Sequence, residues 1–178
     1  FAITCTTPRR QAASCLAGRR VAHLCTDDSQ LPAKLYPAVA NAYLLCRIVD
    51  TIEDEVSLSA AEKKRFCSEF IDIVKTGQNA EPFAAELAPL LSEQTIPAEH
   101  SLIRLIPRVV AITHSLDKAQ IEALANCVET MANGMPVYQA LDLRAGVKTM
   151  KDMDDYCYYV AGCVGEMLAK LFCHYSPQ

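Results

Sequence analysis

From Leu31 onward the apolar residues of this chain return at helical spacing, and no stretch alternates apolar with polar as a half-buried strand must. Helix signals punctuate that pattern. Pro37 suits the first turn of a helix that runs apolar through "AVANAYLLCRIV". Ser59 and Glu62 form a capping box ahead of "AAEKKRFCSEFIDIVK", and Gly77 supplies the stop. The middle of the chain reads as shorter helices cut by Pro82, Pro89, Pro97 and Pro107. Another long helix follows Ser115 through "AQIEALANCVETMANGM". After a loop around "LRAGVKT", Thr149 and Asp152 open a last one through "DYCYYVAGCVGEMLAKLFCHY". The expected class is all-α, a helical bundle.

With 178 residues, 51% of them apolar and 21% charged, the chain can bury a core as one globular domain. Residues 31–178 carry the helical pattern, whereas 1–30 are atypical. That first segment echoes Cys and Arg-Arg at ten-residue spacing, and its four arginines are the chain's one basic cluster. Cys5, Cys15, Cys25 and His23 match no compact metal knuckle, so a helix or loop with a basic side is expected there. The net charge of -4 excludes nucleic acid as a partner, since phosphate binding needs concentrated basic surface. Nine cysteines, an odd number without a CxxC pair, point to free thiols in a reducing, cytoplasmic setting. No apolar run reaches the roughly 18 to 20 residues of a membrane span. The start at Phe1 and the abrupt "SPQ" read as cut ends, so the domain is expected to be incomplete.

Behind "AYLLC" comes "RIVDTIEDE", which places Asp50, Glu53, Asp54 and Glu55 together at the end of an apolar helix. Each helical residue turns about 100°, so Tyr43, Arg47, Asp50 and Asp54 share a stripe roughly 60° wide. Glu53 lies at its edge, and Glu55 points away as a solvated charge. Carboxylates one turn apart repel, so something positive is expected between Asp50 and Asp54. Oxygen ligands without His or Cys suit a hard cation such as Mg²⁺ that bridges to a substrate phosphate, with Arg47 touching the same phosphate. Equally, Arg47 can simply pair with Asp50 or Asp54 at a solvated helix end.

In the last helix Tyr156, Val160, Cys163 and Met167 form one stripe, and Ala161, Gly162, Gly165 and Ala169 form a nearly bare opposite face. Two glycines inside a helix cost about 1 kcal/mol each relative to alanine. Their presence implies close approach, either by another helix or by a bulky apolar ligand.

These two stretches resemble the squalene/phytoene synthases, the head-to-head prenyl transferases. "AYLLCRIVDTIEDE" is similar to the family's first aspartate-rich motif, and "YCYYVAGCVGEMLAKLF" to its Tyr-x-x-x-Val-Ala-Gly-x-Val-Gly signature. The match runs from Leu31 to Phe172, and "DTIED" with "KLF" is more similar to the squalene branch. The resemblance implies an isoprenoid-synthase fold that joins two farnesyl diphosphates into presqualene diphosphate and then squalene, with Mg²⁺ and NADPH as cofactors. By this carry-over Asp50, Asp54 and Glu53 hold Mg²⁺, and Arg47 grips diphosphate. Tyr43 and Tyr156 handle protons and stabilise cations, while Val160, Ala161, Gly162, Val164 and Gly165 line the prenyl channel. The family's second aspartate-rich motif is expected beyond Gln178, and about twenty-five residues, Cys5 to Gln30, match nothing in the family. Phytoene or dehydrosqualene synthesis is the alternative within enzymes, and a non-catalytic helical domain binding prenyl lipid or a partner is the alternative outside them. Peripheral membrane contact through an apolar product, and self-association through an open groove, complete the expected partners.

Overall fold

A computed structural model describes residues 31–139 and 146–176. The expectations for residues 1–30, including the cysteine and arginine echo, lie outside the described residues, as does part of the loop before Thr149. Among the described residues there are helices and no strand, as the periodicity predicts.

Helix α1 spans Tyr36–Asp54 and carries Pro37 in its first turn. Helix α2, Ala60–Thr76, opens on the expected capping box: Ser59 accepts from the Glu62 amide, and Glu62 accepts from the Ser59 amide at 2.8 Å. It closes on Gly77, whose φ of 74° is left-handed. Next come α3 (Ala80–Leu87), a 3₁₀ turn at Ala88–Leu90, α4 (Pro97–Arg104) and α5 (Ile106–Thr113). The short helices expected in this stretch are present, and Pro82 and Pro107 open two of them rather than interrupting one. Both sit in the first turns of α3 and α5, where a proline removes no intrahelical bond.

Helix α6, Lys118–Gln139, is the longest and runs through Pro136. It packs against α1, α2 and a C-terminal helix, α8 (Cys163–Tyr175), so three elements bury their apolar faces on one central rod. Leu45, Ile48 and Ile52 of α1, Phe66 and Phe70 of α2, Leu124 and Met131 of α6, and Leu171 of α8 are all fully buried. Phe83 of α3 joins this core edge-on to Phe66 and stacked on Phe70, at centroid distances of 5.7 and 5.8 Å.

The last helical stretch departs from an ideal helix. Helix α7, Met150–Cys157, starts on the predicted Thr149/Asp152 box, but a π turn at Tyr158–Gly162 separates it from α8. A π turn inserts one residue per turn, so side chains before and after it keep different phases. That turn coincides with the signature residues Val160, Ala161 and Gly162.

Candidate active site

At the C-terminal end of α1, Arg47 extends from a helix whose other face is core. Its Nη1 lies 3.3 Å from Asp50 Oδ2, and its Nη2 pairs with Glu99 in the first turn of α4. Both carboxylates are partly shielded, with side-chain exposures of 28% for Asp50 and 20% for Glu99. Burial raises the Asp50 carboxyl to about 6, with Arg47 drawing it down and Asp54 and Glu99 pushing it back up. One guanidinium thus faces two partly shielded carboxylates, the pairing with Asp50 that the sequence reading kept as its alternative.

Asp54 is exposed one turn further on, and Glu53 is half-buried. The Glu53 carbonyl accepts from the Lys63 ammonium, which places a cation on the last turn of α1. Among the described residues no three His, Cys, Asp or Glu side chains converge on one metal position. A cation at Asp50 would have to complete its shell with water and substrate oxygens, as Mg²⁺ commonly does.

Glu55 corrects the helical-wheel reading. It is not a solvated charge but 1% exposed. The helix ends at Asp54, so Glu55 adopts an extended conformation (φ -63°, ψ 120°) and no longer follows the phase of α1. Its Oε1 accepts from the Ser57 amide at 2.9 Å, and its Oε2 accepts from the Ser92 amide at 3.0 Å and the Thr95 hydroxyl at 2.6 Å. Burial alone would raise this carboxyl, but the bonds from Thr95, Ser57 and Ser92 outweigh it and hold it at about 2. The acid thus fastens the turn before α4 onto the end of α1. The nearest legible signal for Glu99 was an acid in a helical first turn, which ordinarily means only dipole compensation.

Tyr43 is half-buried on α1. On the other stretch, Tyr156 packs edge-on against Tyr138 of α6 at 5.4 Å, and Tyr138 lies 6.1 Å from Tyr159. Tyr159 in turn sits 5.8 Å from Tyr158, so four tyrosine rings run together along the junction of α6 with the π turn. A depression of about 440 Å³ opens beside Tyr138 and Tyr159. Sequence reasoning missed Tyr138, Tyr159 and the residue that admits the Tyr159 ring: a Cβ at Gly134 would fall 2.1 Å from it. A glycine in the middle of α6 was the available signal.

Val160 and Val164 pack against the core from its edge. Ala161 and Gly165 are exposed, and a Cβ on Gly165 would meet nothing within 4 Å, so no described helix covers this face. A Cβ on Gly162 would come within 2.9 Å of Tyr158, a neighbour within the π turn. Of the two alternatives, close approach by another helix is thus not seen at Gly165 among the described residues. Instead, Ala161, Gly165 and Ala169 present bare backbone outward, opposite the buried Cys163, Met167 and Leu171.

The sequence matches the squalene/phytoene synthase family model over residues 28–178. It is 31% identical over 147 residues to squalene synthase BSS of Botryococcus braunii, covering 80% of this chain and 28% of that protein. Squalene synthase 1 of Arabidopsis thaliana is also 31% identical, over 144 residues that cover 80% of this chain and 31% of that one. A solved complex of TcSQS with the ligand E5700 superposes with a TM-score of 0.71 at 27% identity, covering 88% of this chain and 41% of that one. The chain thus spans about a third of the length of the curated relatives it matches. With a family match over most of the chain, an all-helical structure and a shared fold, the chain belongs to the squalene/phytoene synthase family.

Proposed function

We propose that the protein carrying this chain is a prenyl transferase that condenses two farnesyl diphosphates head to head to presqualene diphosphate and on to squalene. The observation that carries this is the Arg47–Asp50–Glu99 group, where one cationic fork is outnumbered by shielded carboxylates. A surplus of that sign suits a hard cation, and the fork suits a diphosphate. Asp50 and Asp54, with Glu53 adding charge, would hold Mg²⁺, which when bound supplies positive charge to the departing diphosphate. Arg47 orients that anion. Tyr43 and Tyr156 serve the reacting prenyl groups, Tyr156 within a row of aromatic rings whose faces favour a carbocation. Val160, Ala161, Gly162, Val164 and Gly165 line the prenyl channel, where bare backbone leaves room for a chain and offers no nucleophile. NADPH provides hydride for the last step to squalene, and no described residue is assigned to it.

An apolar product leaves most readily into lipid, so a cytoplasmic protein in peripheral contact with a membrane fits this chemistry. No helix among the described residues is long and apolar enough to cross one. The test is product analysis on the full-length protein with farnesyl diphosphate, Mg²⁺ and NADPH. Squalene is expected, with loss on chelation and loss of most turnover in Asp50→Asn and Asp54→Asn. Dehydrosqualene as the sole product, or phytoene from a longer diphosphate, would move the protein to the other branch. Prenyl-lipid binding without product would mark a non-catalytic domain.

A further inference from the structure

Glu99 adds negative charge to the group described above, but its contact with Arg47 is given no further role there. Helix α4 begins at Pro97, two residues after Thr95, and Glu99 lies in its first turn. The segment just before it is tied down by Glu55, a fully buried acid that accepts from the Ser92 amide and the Thr95 hydroxyl. Glu99 thus approaches Arg47 from an anchored element. With Asp50 on Nη1 and Glu99 on Nη2, both terminal nitrogens of Arg47 already face carboxylates. Asp54, exposed one turn beyond Asp50, adds a further negative charge nearby. In this state Arg47 is a counter-ion for acids and a poor receptor for a free polyanion, which would meet net negative charge at short range.

Two changes would release the fork: a cation that takes over Asp50, or removal of the charge on Glu99. We infer that Glu99 imposes an order of binding on this site, keeping Arg47 occupied so that a diphosphate is accepted only after a divalent cation has bound. The inference rests on the reading of Arg47 as the diphosphate contact. Once a divalent cation offsets Asp50 and Asp54, the net negative charge around Arg47 is cancelled and Glu99 serves to hold the guanidinium in place. Glu99 is a positioning residue in this account, and its influence passes through Arg47.

The test is titration calorimetry on the full-length protein with inorganic diphosphate, with and without Mg²⁺, and with Mg²⁺ alone. Wild type should bind diphosphate weakly without metal and far more tightly with it. Glu99→Gln should tighten metal-free binding by ~10-fold or more, as removal of one unit charge at short range implies, and should weaken binding of Mg²⁺ alone. Glu99→Asp, which retains the charge, should behave as wild type, and Arg47→Ala placed on Glu99→Gln should abolish the gain. Metal-free binding by Glu99→Gln within twofold of wild type overturns the inference, as does a gain that survives Arg47→Ala. Squalene production by wild type is assayed alongside: its absence fails the functional reading, whereas its presence with an unchanged Glu99→Gln fails the ordering alone.

Discussion

Glu55 shows how far one side chain can stand from its position on a helical wheel. Treated as part of α1 it lies off the acidic stripe and should tolerate replacement. One residue past the helix it is instead a buried acceptor for two amides and a hydroxyl. Glutamine there must turn an NH₂ group toward amide donors. We expect Glu55→Gln to destabilise the fold by roughly 3 kcal/mol at pH 7, about 1.4 kcal/mol for each unit by which the carboxyl is depressed. The folded carboxyl titrates at about 2 and the unfolded one at its ordinary 4.5. The unfolded state therefore binds the proton first on acidification, and the stabilisation is full above pH 4.5 and lost as pH falls toward about 2. Urea melts of both proteins at pH 7 and pH 3 check this. The gap between them should shrink at the lower pH, and equal midpoints at pH 7 would remove Glu55 as an anchor.

Among the elements, those with strong local signals were legible in advance. Both capping boxes, the Gly77 stop and the first-turn Pro37 are written in adjacent residues, so α1, α2 and α7 begin or end where the sequence places them. The π turn at Tyr158–Gly162 was not legible, because a wheel drawn at constant pitch carries no information on a local change of pitch. The Arg47–Asp50 pair was readable from spacing, whereas Glu99 arrives from 52 residues away and left no trace in local pattern. Two glycines give the element-scale prediction. Gly134→Ala drives a Cβ into Tyr159 and should cost about 1–3 kcal/mol, as overpacking does. Gly165→Ala enters open space and should gain up to about 1 kcal/mol of helix propensity. Thermal melts that rank the two variants the other way would contradict the packing of α6 on the π turn. If Gly165 lines a prenyl channel, the more stable variant should also be the slower one.

Across the whole molecule, α6 gathers the core while the acidic end of α1 and the bare face of α8 remain at its edges. Val137 on α6, Met153 on α7, Tyr158 in the π turn and Phe172 and Tyr175 on α8 are exposed. Apolar surface of this kind tends to acquire a cover. We therefore expect the 178-residue chain, expressed alone, to self-associate and to turn over no farnesyl diphosphate, since one acidic helix offers too few metal ligands. Sedimentation and a product assay check both. A clean monomer that makes squalene would show that these 178 residues suffice.

The bonds that Ser92 and Thr95 donate to Glu55 also close a ring of chain that contains all of α2 and α3. Closing a loop of that length costs chain entropy before any contact rewards it, so the link should form late on the path from the unfolded ensemble. Thr95→Val, which removes one of these bonds, should hasten unfolding several-fold while leaving the refolding rate nearly unchanged. The durability of the candidate site over time would then rest on a tie formed after the rest of the bundle has assembled. An acid motif that attracts attention for its charge would also fix how long the folded chain lasts.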